Sequence, residues 1–387
     1  MKKQATLLLV LLIAATNLLF AQKSKAPIMG WSSWNNFQIN IDEKIIREQA
    51  DAMITSGMYD AGYRFINIDD GYFGGRDANG KLYADAKKFP SGMASLTAYI
   101  HSKKLKAGIY TDAGKNTCGS MWNKDANGIG VGIYGHIKQD CSLFFKEWKF
   151  DFLKVDWCGA EQQKLDEATT YTAIIDTVRA TSPNIIFNVC RWQFPGEWVI
   201  KKADSWRISG DIRATFASIL KIIDLNADLA KYSSAGHYND MDMLQVGRGM
   251  TYEEDKTHFS MWCIMNSPLL AGNDLRNMSK ETLEILTNKE IIALNQDKGF
   301  KQAMRVSKEN DIELWIKPLG NPGNKAKAIT LLNRSNKETQ VTLTAAKAGI
   351  QKNASLRDLW QHKDLGKMGE SQIFTIAAHG VVVLKAE

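Results

Sequence analysis

Between residues 27 and 299 the chain repeats one local pattern: a short apolar run, a charged or aromatic residue at its end, then a stretch of helical periodicity. Apolar runs alternating with helical segments mark parallel strands joined by crossover helices, because a parallel neighbour is reached only by a long return connection. The runs read as strands are 28–31, 65–68, 106–110, 152–155, 185–189 and 205–208. Asp42 is placed to cap a helix whose Ile46, Ala50 and Met53 share one face and which stops at Gly57. A second helix covers 165–181 with Ala168, Ile175 and Val178 inward, and a third follows Asp211 with Ile219 and Ile223 inward. Six or more such units suit a closed (β/α)8 TIM barrel, typically about 250 residues, better than an open sheet.

After Gly299 the texture changes to alternating strands at 313–316, 328–332, 340–343 and 381–384, broken by Gly320-Asn321-Pro322-Gly323 and Asn333-Arg334-Ser335-Asn336. The expectation is an α/β catalytic barrel over 27–299 and an antiparallel β-sandwich over 300–387, the latter a packing module. Residues 1–21 carry Lys2 and Lys3, an apolar stretch and the small-residue end Phe20-Ala21, the pattern of a secretory signal peptide. Thr16 and Asn17 interrupt the apolar stretch, so no membrane anchor is expected, and the mature chain is expected in the periplasm or secreted. In an oxidising compartment the five cysteines, Cys118, Cys141, Cys158, Cys190 and Cys263, allow two bridges at most. The formal charge of 49 − 42 = +7 is spread without a basic block, so nucleic acid is not an expected partner. The sequence carries no signal for an oligomeric state.

The strand ends carry the chemistry. Trp31 and Trp34 follow the first run, Asp69-Asp70 the second, Tyr110 and Asp112 the third, Lys154 and Asp156 the fourth, Cys190-Arg191-Trp192 the fifth, and Arg207 and Asp211 the sixth. In a barrel these ends converge on one rim, where active sites lie. One Asp after a strand is usually a cap or turn residue. Several around one cavity repel unless cations or hydroxyls answer them, and Lys154 and Arg207 are the cations at hand. Carboxylates, a Lys, an Arg and indole faces together describe a site for a polyhydroxylated ring.

Two carboxylates flanking a glycosidic bond suffice to hydrolyse it. Asp156, kept ionised by Lys154, reads as the nucleophile; Asp211, at a strand-to-helix turn where desolvation favours a proton, reads as the acid/base. Capping the next helix is a competing use for Asp211. A non-catalytic carbohydrate-binding protein would use the same aromatic and acidic residues but has no need of both Asp156 and Asp211. Gly130-x-Gly132-x-x-Gly135 fits the dinucleotide fingerprint formally, yet turn-like residues rather than a strand precede it, so it reads as a barrel loop. The histidines form no HExxH pair and the cysteines no CxxC, which gives a zinc site no support.

These residues fall into ordered motifs: Met29-Gly30-Trp31-Ser32-Ser33-Trp34-Asn35, Ile68-Asp69-Asp70-Gly71-Tyr72, Gly108-Ile109-Tyr110-Thr111-Asp112, Leu153-Lys154-Val155-Asp156-Trp157-Cys158, Trp206-Arg207-Ile208-Ser209-Gly210-Asp211, Tyr238-Asn239-Asp240-Met241-Asp242-Met243-Leu244 and Ser267-Pro268-Leu269-Leu270-Ala271-Gly272-Asn273-Asp274-Leu275. Over nearly the whole mature chain the sequence resembles α-galactosidases (melibiases) of glycoside hydrolase family 27. The resemblance implies retaining, exo-acting hydrolysis of terminal α-D-galactosyl residues from oligosaccharides or polysaccharides, with no metal or organic cofactor. It makes Asp156 the nucleophile and Asp211 the acid/base. Trp34, Asp69, Asp70, Tyr110, Lys154, Cys190, Trp192, Arg207 and Asp242 become sugar-site residues: the Asp69-Asp70 pair toward O4 and O6, Lys154 toward O3 and O4, Arg207 toward O2. It also pairs Cys118 with Cys158 and leaves Cys190 a free thiol lining the site. Arg191 stands where the family commonly has Glu, which bears on recognition at C2. An α-N-acetylgalactosaminidase would need a roomier pocket than bulky Trp192 allows, and Asp69-Asp70 favours a C6 hydroxymethyl over a β-L-arabinopyranoside.

Overall fold

The computed structural model describes residues 25–387, so the expected leader lies outside the described residues. Eight strands form one parallel sheet: β1 (Met29–Ser32), β2 (Phe65–Asn67), β3 (Lys106–Asp112), β4 (Phe152–Asp156), β5 (Ile186–Val189), β6 (Ser205–Arg207), β7 (Tyr238–Asp240) and β8 (Leu269–Ala271). Neighbours follow sequence order from β1 to β7, with β8 beside β1. The cylinder closes where Leu244, just past β7, bridges Ala271 of β8; the Leu244 amide donates to the Leu270 carbonyl at 2.8 Å. The expected barrel is therefore present.

Six of these strands are the runs read from the sequence, with ends moved by up to two residues. The movement matters at β3 and β4, which extend to Asp112 and Asp156 and place those two residues side by side in register. β7 and β8 were not read as strands. Each is three residues long, and the Tyr-Asn-Asp of β7 is too polar to stand out as an apolar run.

The helices on the outside obey local rules. Asp42 accepts from the Ile45 amide at 2.7 Å and caps the helix Glu43–Thr55, whose Ile46, Ala50 and Met53 are buried. The helix expected from residue 165 begins at Glu167 because Asp166 caps it; Tyr171, Ile174, Ile175 and Val178 face inward, and Ala168 is only half-buried. The helix after Asp211 runs Phe216–Asn226 and is capped by Thr215, which releases Asp211 from the capping role. The glycine-rich stretch 130–135 is a loop, held by the Arg76 guanidinium, which donates to the carbonyls of Val131 and Gly132 at 3.0 and 2.8 Å.

The C-terminal part is antiparallel: β9 (Met304–Glu309), β10 (Ile312–Pro318), β11 (Lys327–Asn333), β12 (Thr339–Thr344), β13 (Ser355–Asp358), β14 (Lys363–Lys367), β15 (Ser371–Ile376) and β16 (Val381–Ala386). Six strands in the order β9-β10-β11-β16-β13-β14 make one sheet, and β12 pairs with β15 in a second. Leu314, Ile329 and Leu384 of the first sheet share a core with Leu343 and Phe374 of the second, which makes a sandwich. Arg305 and Arg334 fasten this domain to the barrel by reaching both Asp224, on the helix Phe216–Asn226, and the buried Glu313 of β10.

Candidate active site

The carboxyl ends of the barrel strands surround a cavity of about 280 Å³. Its lining includes Trp34 after β1, Asp69 and Asp70 after β2, Tyr110 on β3, Lys154 and Asp156 on β4, Trp192 after β5, Arg207 and Asp211 at and after β6, and Asp242 after β7. Parallel strands deliver these side chains to one rim although more than 200 positions separate Trp34 from Asp242. The sequence reading missed Asn35, Trp122 and Met243, which also line the cavity. Trp122 ends the short helix Cys118–Trp122, ten residues beyond the end of β3, so no strand end flags it.

Burial and hydrogen bonding fix the floor. Asp69 accepts from Lys154 Nζ at 2.9 Å and from the Asp70 amide at 2.9 Å, and its own amide donates to Ser33 Oγ at 2.9 Å. Asp70 accepts from the amides of Gly71 and Gly119, each at 2.7 Å. Burial pushes the Asp70 carboxyl up to about 7, against those amide bonds and with help from the neighbouring Asp69 charge. Asp156 is buried, accepts from the Trp157 amide at 3.1 Å and lies 3.8 Å from Lys154 Nζ.

The sequence expectation that Lys154 holds Asp156 low needs correction. Burial raises the Asp156 carboxyl to about 6; Lys154 opposes this only in part, and the charges of Asp211 and Asp69 add to it. The reason is geometric, since Lys154 makes its short contact to Asp69 rather than Asp156. Asp211 is corrected in the opposite direction. Its side chain is 69% exposed at the cavity mouth, and although desolvation acts to raise its pKa, Arg207, 3.0 Å away, and Lys154 hold it below the usual Asp range. Asp242 shares the same guanidinium at 2.9 Å, and its other oxygen accepts from the Met243 amide at 2.7 Å.

Cys190 is free, as expected, but it does not line the cavity. It is buried behind Arg207, with Sγ 3.6 Å from Nη1. Arg191 also turns away: it pairs with Glu167 at 2.9 Å and Glu161 at 3.7 Å and is absent from the lining, whereas Trp192, with a left-handed φ of 63°, swings in. Trp31 is fully buried with Nε1 donating to the Asn273 carbonyl at 2.7 Å, so it braces the barrel instead of meeting a ligand.

Cys118 and Cys158 are joined in a disulfide, which ties the loop after β3 to the end of β4. Beneath it Asp112 accepts from the amides of Gly114 and Gly159 at 2.7 and 3.0 Å. The two loops touch so closely that a Cβ on Gly114 would lie 2.0 Å from the Gly159 carbonyl carbon. Asp112 and the two sulfur atoms are the one grouping among the described residues with the ligand types of a metal site. The sulfurs are bonded to each other and one Asp112 oxygen already serves two amides, so the trio is a structural clasp.

Two family models match the chain, one described as alpha galactosidase A over residues 26–297 and one as the alpha galactosidase C-terminal beta sandwich domain over residues 309–386. Alpha-galactosidase A of Cellvibrio japonicus (strain Ueda107) is 43% identical over 95% of this chain and 93% of its own length. Alpha-galactosidase 2 of Arabidopsis thaliana is 42% identical over 87% of this chain and 83% of its own. The crystal structure of alpha-galactosidase I from Mortierella vinacea superposes with a TM-score of 0.87 at 32% identity, covering 96% of this chain and 98% of that one.

Proposed function

Because this chain belongs to the α-galactosidase (melibiase) family, glycoside hydrolase family 27, we propose that it removes terminal non-reducing α-D-galactosyl residues from oligosaccharides or polysaccharides by double displacement, with Asp156 as nucleophile and Asp211 as acid/base. The observation that carries this assignment is that both carboxylates line one cavity with Lys154, Arg207, Asp69 and Asp70 around it. The catalytic role belongs to the barrel, since every residue lining that cavity lies between Trp34 and Met243.

In the first step Asp156 attacks the anomeric carbon while Asp211 gives its proton to the departing glycosidic oxygen, leaving a galactosyl ester on Asp156. In the second, Asp211 takes a proton from water as the water oxygen attacks that carbon, releasing galactose with retained configuration and restoring the Asp156 carboxylate. Lys154 and Asp69, already paired, present a donor and an acceptor to adjacent ring hydroxyls, and Arg207 presents one toward O2. Trp34 and Tyr110 wall the ring. Trp192 adds a bulky indole to the cavity wall, and that bulk favours galactose over an N-acetylated sugar.

The Cys118–Cys158 disulfide supports an exported location, periplasmic or secreted, because cytosolic thiols are kept reduced. Among the described residues no helix is long and apolar enough to cross a membrane. The test is hydrolysis of p-nitrophenyl α-D-galactopyranoside by the mature chain, followed by NMR of the first-formed sugar. α-Galactose appearing before its anomer, with turnover lost in Asp156→Asn, is the expected result. Initial release of the β-anomer, or preference for the α-N-acetylgalactosaminide or β-L-arabinopyranoside, would overturn it.

A further inference from the structure

We propose that the indole of Trp122 is a leaving-group subsite, a platform on which the pyranose ring attached to the cleaved galactosyl unit stacks. The inference rests on the α-galactosidase reading above and assigns the part of the substrate that lies at the mouth of the catalytic cavity.

Trp122 lines the same cavity as Asp156 and Asp211, yet it is 75% exposed. An indole left in water forgoes a large burial term, and a wide exposed aromatic face beside a cavity is characteristic of a binding surface. Its chain neighbour Met121 is 37% exposed. Asp211 stands at the cavity mouth, so the oxygen it protonates and the group that leaves with that oxygen lie toward the mouth. A pyranose offers a face of electropositive C–H groups, which complements the negative face of an indole.

The platform is held, though exposed. Trp122 ends the short helix Cys118–Trp122, whose first residue is bonded to Cys158. The Cys118 amide donates to Tyr110 Oη at 3.3 Å, and the Gly119 amide to Asp70 at 2.7 Å. On the other side Asn123 donates its amide N–H to the Gly119 carbonyl at 2.9 Å and its side-chain Nδ2 to Gln38 Oε1 at 2.6 Å. The segment carrying the indole is thereby tied to the loops after β1, β2 and β4. A ring docking on such a pre-positioned surface loses less ordering entropy than one docking on a loose loop.

The experiment compares kcat/KM for raffinose, whose galactose is attached to a pyranose, with kcat/KM for methyl α-D-galactopyranoside, which has no second ring, in the wild-type chain, Trp122→Ala and Trp122→Phe. The expected result is a raffinose-to-methyl ratio about tenfold lower in Trp122→Ala, the size of one stacked-ring contact, and largely restored in Trp122→Phe. Inhibition by free galactose reads the inner cavity by itself and should stay constant across the three proteins. A ratio in Trp122→Ala within about twofold of wild type, or a loss matched by equally weakened galactose inhibition, overturns the subsite alone. No hydrolysis of either galactoside by the wild-type chain would overturn the activity reading and the subsite with it.

Discussion

The guanidinium of Arg207 lies 3.0 Å from the Asp211 carboxylate, and that contact poses the central electrostatic problem of the site. A general acid must be protonated when the glycosidic bond breaks, whereas a neighbouring cation favours the ionised form. Asp156 shows the reverse tension, a proposed nucleophile whose burial favours a proton. The Asp211 charge adds to the rise at Asp156. Arg207 has other partners in Asp242 and the Ser209 carbonyl, so its charge is divided among three acceptors.

The pH dependence follows. The proposed reaction needs one proton on the two carboxyls, and the higher of the two, Asp156, loses its proton near pH 6, the value to which burial raises it. The profile of kcat/KM should be a bell whose alkaline limb falls near pH 6 and whose acid limb lies below the usual Asp range, since Asp211 is depressed. An alkaline limb above about pH 8 would contradict its assignment to Asp156.

Replacing Asp211 by Asn should depend on the leaving group. With raffinose the loss should be about 10²–10⁴-fold, the contribution of a positioned general acid, whereas a 2,4-dinitrophenyl galactoside, which leaves without a proton, should lose far less in the galactosylation step. Pre-steady-state release of dinitrophenol separates the steps. Equal losses for both substrates would take the acid role away from Asp211.

Asp156→Asn should stabilise the fold while destroying turnover. The folded-state pKa of about 6 exceeds the unfolded value near 3.8, so the ionised carboxylate weighs against folding increasingly as pH rises through that window. At about pH 7.5 the amide should gain up to about 3 kcal/mol, a ceiling from the size of the shift, and the gain should fade toward about pH 4. Thermal unfolding at the two pH values reads this, and an equal effect at both would show that packing, not charge, is responsible.

The Cys118–Cys158 bridge spans 40 residues, which in the chain-entropy account is worth about 4 kcal/mol. Changing both cysteines to serine should lower the melting temperature and raise KM, because the loop carrying the Gly119 amide to Asp70 is released. A lower melting temperature with unaltered KM would confine the bridge to stability.

Arg191→Ala tests the departure from the family pattern. Its guanidinium faces Glu167 and Glu161 outside the cavity, so selectivity between the galactoside and the N-acetylgalactosaminide should move by less than about threefold, with a stability loss under about 1 kcal/mol. Trp192→Ala, which opens the cavity wall, should move it more.

Strand-and-helix alternation, the cap at Asp42 and the residues at strand ends were readable because each depends on neighbours within one or two turns of chain. The barrel, the sandwich and the cluster around Asp156 and Asp211 followed from that local information. β7 escaped because its Tyr-Asn-Asp is too polar to stand out as an apolar run, and β8 takes its place only through its pairing with β1. Trp122 escaped because its importance comes from where a disulfide and two loops place it, not from its own context.

The amino-acid sequence thus determined which elements form and which chemical groups stand at their ends, properties carried by periodicity and residue type. The tertiary structure decided which cation answers which carboxylate. Lys154 reaches Asp69 before Asp156, Arg207 lies on Asp211 and Asp242, and Arg191 points out of the cavity. Protonation depends on burial and on distances of a few ångströms between residues far apart in the chain, and those distances exist only once the barrel has closed.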